Sequence, residues 1–411
     1  MEPRWDDEAD ELAPLRRRSP LTAVVAVLLV LALVASGIVI AFDRTSSDDG
    51  GERTGPPIEI PDGPPPSESE LDLVVAELSD FVSDARALEF KEPVPVTLLD
   101  DDEFSTRVEA EAVNDLDGLK DTERVLRAYG LLDDDVDLAA VLTSFLGDGV
   151  VGFYDPVGGE LVVRGAALTP YVRLTLVHEL THALDDQHFE LDRPALDDAD
   201  DETGTGFLAL QEGNAVRVQE EYLDTLSSEE QDQAAAEEGQ LGQSMDLSNV
   251  PRVLPEIIGF PYAFGPTVVA LLLQEGGESR VNEAFADPPT TSEQVLDPAT
   301  WLAEQAEPID VPPPAADGEV FDEGVLGLWG IVLLLEDELG QQDAFVAAHG
   351  WGGDWYVAWE RGDEVCVRNT FVMDTPEDLK ELASALDDWA VAQDDAEITR
   401  TEGQVSLLSC G

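Results

Sequence analysis

The stretch that most constrains this chain is HELTHALDDQHFE, residues 178–190, which holds three of the only four histidines in 411 residues. The segment from Thr169 to Asp186 contains no Gly and, after Pro170, no Pro, so it reads as a helix that Pro170 helps to start. On that helix His178 and His182 lie four apart, one turn above the other on one face, at the separation two imidazoles need to grip one tetrahedral zinc ion. Glu179 is off that line but within reach of a water on the metal, from which it would take a proton as general base. Zinc lowers the pKa of such a water to about 7, which makes it a nucleophile against a peptide carbonyl. Two surface histidines on an ordinary helix are the bland alternative, and the scarcity of His in this chain weighs against it.

A buried site needs a core around it. A chain that is 43% hydrophobic and 7% aromatic has the material for a globular fold. Its charge is one-sided: 89 acidic against 22 basic residues give a formal net charge of −67, which repels phosphate backbones and excludes a nucleic-acid partner. The acids read as a solvated surface, and a salt-rich environment would screen their mutual repulsion.

Residues 1–20 form a short tail that ends in the Arg16, Arg17 and Arg18 cluster. From Leu21 to Phe42 the chain then runs 22 residues without a charge. As a helix this run is about 33 Å long, close to the thickness of a bilayer core. It reads as a single membrane span; the apolar region of a cleaved signal peptide would be shorter, about 7–15 residues. The arginines keep the tail cytoplasmic, and everything beyond residue 42 faces outward. Residues 43–70, rich in Gly, Pro, Ser and acids, read as a disordered linker. Both cysteines, Cys366 and Cys410, fall in the outward part, where a disulfide is permitted, with two buried thiols as the alternative.

The folded region is expected to start near Leu71, with an amphipathic helix over 71–90, a strand at 94–99 and further helices over 103–146. VVGFYDPVGGELVVRG, residues 150–165, places two β-rich runs around Asp155-Pro156 and Gly158-Gly159, which is a hairpin signal leading into the histidine helix. Helices and strands together give an α+β class. A boundary is expected at AEPIDVPPPAADGE, 306–319, dividing a region 71–306 from an α+β region 320–411 that is either separate or the lower half of the same domain. In the second region VFDEGVLGLWGIVLLLEDELG reads as a buried apolar helix, WYVAWE and VCVRNTFV as strands, and 376–393 as a helix followed by short strands.

The HELTH motif resembles that of the zincin metallopeptidases. LVHELTHALDDQHFEL, the EGNA stretch at 212–215, FPYAFGPTVVALLL and ADPPTTSEQVLDP together resemble a family of membrane-anchored bacterial zinc metallopeptidases, over residues 150–300 and more weakly toward the two cysteines. The resemblance implies a zincin-like domain after the transmembrane helix, with zinc as cofactor and a peptide or protein as substrate. It also implies a third ligand, for which two residues compete. In the gluzincin branch this is a Glu on a second helix, and Glu212, 30 residues past His182 in LALQEGNAVRVQEEYL, has that context, with Gly213 and Ala215 small enough for close helix approach. In the metzincin branch it is a histidine in the position of His188, but Asp185 stands where a Gly turns the helix back.

The same resemblance implies a small sheet over the motif helix, with Gly159 to Arg164 as an edge strand open to an extended substrate. It makes Tyr262 a candidate oxyanion stabiliser, against the plainer reading of a packed loop residue beside Pro261. Asp185 and Asp186 are placed to accept from a ligand imidazole, or else are solvated helix-end acids. His349 reads as structural. Two functions follow: an outward-facing, membrane-anchored zinc peptidase with Glu179 as base, or a non-catalytic envelope protein that keeps zinc for stability or binding. Oligomeric state and cleavage preference have no sequence signal.

Overall fold

The structure, a computed structural model, describes residues 67–112, 116–164, 167–193, 196, 201–244, 250–303, 307–393 and 395–411. The apolar run 21–42 expected to cross a membrane lies outside these residues. The expected linker ends before residue 70. Ser67 and Glu70 cap each other's backbone in a reciprocal box, so that helix α1 spans Glu68–Arg86.

The chain continues through β1 (Val96–Leu99), α2 (Asp101–Ala112), α3 (Leu116–Ala128) and α4 (Leu138–Gly149). The hairpin forms as β2 (Gly152–Asp155) and β3 (Glu160–Arg164), with Asp155 Oδ1 accepting from the N–H groups of Val157 and Gly158 in the turn. β3 pairs antiparallel with β2 on one side and parallel with β1 on the other. The expectation that Gly159 to Arg164 forms the sheet edge is thereby corrected: β3 is the central strand. VTLL of β1 docks alongside it with Val96 opposite Leu161, and Leu161, Val162 and Val163 are all buried, as befits an apolar strand covered on both faces.

Thr169 caps the next helix, α5 (Pro170–Phe189), by accepting from the Val172 N–H, and Pro170 occupies its first turn, where a missing N–H costs nothing. From Leu174 to Asp185 every residue of α5 is buried, so the helix has no solvent face and its sequence shows no amphipathic stripe. Leu174, Val177, Leu180 and Leu184 share one apolar cluster with Leu161 and Val163 of β3 and with Leu78 and Val82 of α1.

After α5 come α6 (Asp201–Thr225), α7 (Ser228–Ser244) and α8 (Val253–Gly276). α6 supplies Val218 and Tyr222 to the cluster around α5 and presses its other side on α8. There Gly213 meets Gly265: a methyl at Gly213 would sit 2.2 Å from the Gly265 carbonyl carbon, so only glycine allows this backbone approach. Gly213 thus serves the packing of α6 on α8, not its approach to the histidine helix. Among the described residues α8 is the one helix long and apolar enough to cross a membrane, and more than half of its apolar stretch is buried inside the fold. Three short helices follow, α9 (Glu278–Ala286), α10 (Ser292–Leu296) and α11 (Pro298–Leu302).

The second sheet is antiparallel, in the order β4 (Val320–Gly324), β5 (Trp351–Arg361), β6 (Glu364–Met373), β8 (Gln404–Cys410) and β7 (Ala396–Thr401). Helices α12 (Gly327–Leu339), α13 (Gln341–Ala348) and α14 (Pro376–Ala392) accompany it. VFDEG, expected as the start of a helix, is strand β4. Cys366 and Cys410 are direct cross-strand partners on β6 and β8 and are bridged by a disulfide. One buried cluster holds Leu126, Phe207 and Phe260 together with Trp329, Tyr356, Trp389 and Leu407, so the regions on either side of 306–319 share a core. Asp354 anchors the start of α12: its carboxylate, itself buried, accepts from the N–H groups of Leu326 and Gly327, from Trp351 Nε1 and from Asn369 Nδ2. The protein is α+β, with mostly helical surroundings for two small sheets.

Candidate metal centre

α5 and α6 bring together the three residues that sequence spacing and resemblance single out. His178, His182 and Glu212 are buried, and one donor atom from each lies within 4.8 Å of the others. Glu212 Oε2 is 3.1 Å from His178 Nε2 and 3.4 Å from His182 Nε2. The two imidazoles, one helical turn apart, have centroids 4.8 Å apart and meet edge to face.

On its other side His178 has a partner that sequence reasoning missed. Gln219 Oε1 lies 2.9 Å from His178 Nδ1, so a tautomer with Nδ1–H donating to Gln219 leaves Nε2 free to ligate. The signal was present: Gln219 stands seven residues after Glu212, two turns along the same face of α6.

One buried polar atom at this site, Glu179 Oε1, has no hydrogen-bond partner among the described residues, and His182 Nε2 has only the long contact to Glu212 at 3.4 Å. A buried polar atom without a partner costs about 1–3 kcal/mol, and here it lies beside a converging set of metal-ligand types. A converging set of two imidazole nitrogens and one carboxylate oxygen, all within 4.8 Å of one another, fits a metal ion held by three protein ligands.

Glu179 is not part of the ligand group. Its Oε2 accepts from the Tyr154 backbone N–H at 2.8 Å, which ties the motif helix to strand β2. Burial pushes the Glu179 carboxyl up to about 8, with Glu212 adding to the rise and His178 and the Tyr154 N–H opposing it. For Glu212 burial acts in the same direction, but the two imidazoles, His182 foremost, outweigh it and hold the carboxyl at about 2. The counterpart is His182, which Glu212 raises against the pull of burial.

The remaining sequence candidates are placed as follows. His188 is not beside the other two histidines: α5 runs straight through Asp185 and ends only at Glu190, the left-handed residue at φ 57°. The turn that a metzincin-type ligand needs is therefore absent at Asp185, and His188 Nε2 instead bonds the Glu89 carbonyl at 2.9 Å. Asp185 is neither a solvated helix-end acid nor an imidazole acceptor, because Arg86 and Asn214 take its two oxygens. Asp186 accepts from the Tyr154 hydroxyl and the Leu191 N–H, both at 2.8 Å.

Tyr262 lies within α8, not in a loop, and its ring stacks at 6.3 Å from that of His178. Burial and then the neighbouring Glu212 and Glu179 push its hydroxyl well above the usual range, so it stays protonated and hydrogen-bonds Glu212. His349 is exposed at the end of α13. No protein-family model, curated protein or solved structure matches the chain, so the site rests on its own geometry.

Proposed function

We propose that this chain is a zinc-dependent peptidase of the gluzincin kind, with a zincin-like domain held at a membrane by residues 21–42 and facing outward. The observation that carries the reading is Glu179: a buried carboxylate beside the ligand group but outside it, with one oxygen fixed by Tyr154 and the other unpartnered. A purely structural metal site has use for ligands alone and none for such a base. Zinc bound by His178, His182 and Glu212 would supply an acidified water and polarise a peptide carbonyl. Glu179 holds its proton-accepting oxygen beside that group, and Gln219 keeps His178 in the ligating tautomer. Tyr262 offers a hydroxyl donor for developing charge on the carbonyl oxygen.

The second reading, a non-catalytic zinc-binding envelope protein, draws support from the burial of all three ligands. One experiment separates the two. The full chain in detergent, with zinc, is incubated with an unfolded protein, and metal content is measured in parallel. On the peptidase reading the parent cleaves and Glu179→Gln keeps its zinc while losing about 10²–10⁴-fold in rate, the span of a general base. A parent that binds zinc and cleaves nothing supports the second reading. Protease added to intact cells tests the topology: residues beyond 42 are digested if they face outward.

A further inference from the structure

At Asp185, three residues after His182, the motif helix enters a second buried cluster. Arg86, the last residue of α1, is fully buried and donates to Asp185 Oδ1 twice, from Nε at 3.0 Å and from Nη2 at 2.7 Å. The same guanidinium reaches Asn282 Oδ1 at 3.0 Å and forms an ion pair with Glu278, both on α9. Asp185 Oδ2 in turn accepts from Asn214 Nδ2 at 2.5 Å, and Asn214 Oδ1 accepts from Arg217 Nη2 at 2.9 Å. Arg217 closes the ring on Glu278 at 3.1 Å. Asp185 stands three residues after His182, and Asn214 two after Glu212.

This knot joins α1, α5, α6 and α9 next to the metal-ligand group, and it does so with two of only 22 basic residues in a chain that carries 89 acids. Buried ion pairs are seldom better for stability than apolar side chains of the same volume; what they supply is a fixed geometry. The Arg fork suits that use, because its donors are rigid relative to one another. The Asp185–Asn214 bond runs directly between the helix of His178 and His182 and the helix of Glu212, so it fixes how far one slides along the other. We propose that Arg86 is a positioning residue for the metal centre: by holding Asp185 against Asn214 it sets the register of the two ligand-bearing helices. The first helix after the expected tether thereby belongs to the metal-binding unit.

The inference rests on the metal reading above, and the test keeps the two apart. Zinc affinity of the full chain in detergent is measured by competition with a chelator, the visible spectrum is recorded with cobalt in place of zinc, and the unfolding midpoint is measured in excess chelator. In the double variant Arg86→Met with Asp185→Leu, which removes both buried charges together, zinc affinity falls about 10–100-fold, as for residues that orient ligands. Its cobalt spectrum changes, while the metal-free midpoint stays at the parent value. Parent affinity and parent spectrum in that variant overturn the inference, as does an affinity loss matched by an equal loss of metal-free stability. If the double variant does not fold, Asn214→Ala, which deletes one hydrogen bond and no charge, is read instead: a loss of zinc affinity supports the inference and parent affinity overturns it. A parent that binds neither zinc nor cobalt overturns the metal reading, and the positioning role falls with it.

Discussion

Two buried carboxylate sites in this molecule are built on opposite plans. At the foot of the five-stranded sheet, both oxygens of Asp354 are occupied by two backbone N–H groups, an indole and an amide. Beside the three-stranded sheet, Glu179 has one oxygen held by Tyr154 and one with no partner among the described residues. Both carboxyls are raised by burial, so the difference is not one of desolvation. It is one of completion at the carboxylate: both oxygens of Asp354 are taken by groups of the chain itself, which locks a helix start, whereas one oxygen of Glu179 is left for a further partner.

That contrast can be broken by substitution. The largest effect is expected for Asp354→Ala, which leaves the four donors without an acceptor. At about 1–3 kcal/mol for each orphaned group, the fold should lose about 4 kcal/mol or more, read by denaturant unfolding. Zinc affinity of whatever remains folded should be unchanged; a variant as stable as the parent would show that Asp354 is not a structural lock. Next is Glu212→Ala. Loss of one of three protein ligands should weaken zinc binding by about 100-fold or more, beyond what orienting residues cost. His188→Ala, by contrast, should keep the metal, since it only gives up a bond to Glu89. Zinc content of both folded variants decides, and the reverse result would reinstate the histidine as ligand.

The smallest effect sharpens the comparison with an intermediate case. Glu256 is buried and held by Arg252 at 2.8 and 3.0 Å, with the Glu336 carboxyl on the same guanidinium. Burial first, and then Glu336, push the Glu256 carboxyl from its usual 4.5 up to about 8. Below pH 4.5 folded and unfolded chains both carry this proton, so it contributes no pH dependence there. Between pH 4.5 and 8 the unfolded chain gives the proton up while the folded one keeps it, and stability falls as pH rises; above 8 the dependence ends. Glu179, raised to about 8 as well, gives a slope of the same sign over the same window, so Glu256→Gln should reduce the slope in unfolding free energy and leave the share that Glu179 contributes. An unchanged slope would mean that Glu256 does not titrate there.

Much of the site was legible because it is local. The histidine pair, its helix, the Thr169–Pro170 start and the hairpin ahead of it are all set by residues within a few positions of one another. Glu212 required resemblance, since nothing in its own neighbourhood says which helix it will face. Gln219, Arg86 and Asn214 stayed hidden because their partners lie far away in the chain: 41, 99 and 29 residues for His178, Asp185 and Asp185 respectively. The sheet edge was misread for the same reason, as β1 joins β3 from 65 residues upstream, Val96 to Leu161. Asp185 and Asp186 looked like solvated acids because acidity is everywhere in this chain, which makes an acid's burial invisible to composition.

The disulfide between Cys366 and Cys410 joins two residues that already face each other across β6 and β8. Its consequence is mechanical. A load applied at the end of β8 meets a covalent bond before it reaches the backbone hydrogen bonds further in, so that strand cannot be peeled from its outer end and the force passes to β6. Just past the bridge the backbone of Gly411 is paired in both directions with Val365, which extends the ladder by one more residue. Reduction would remove that stop and let β8 unzip one pair at a time.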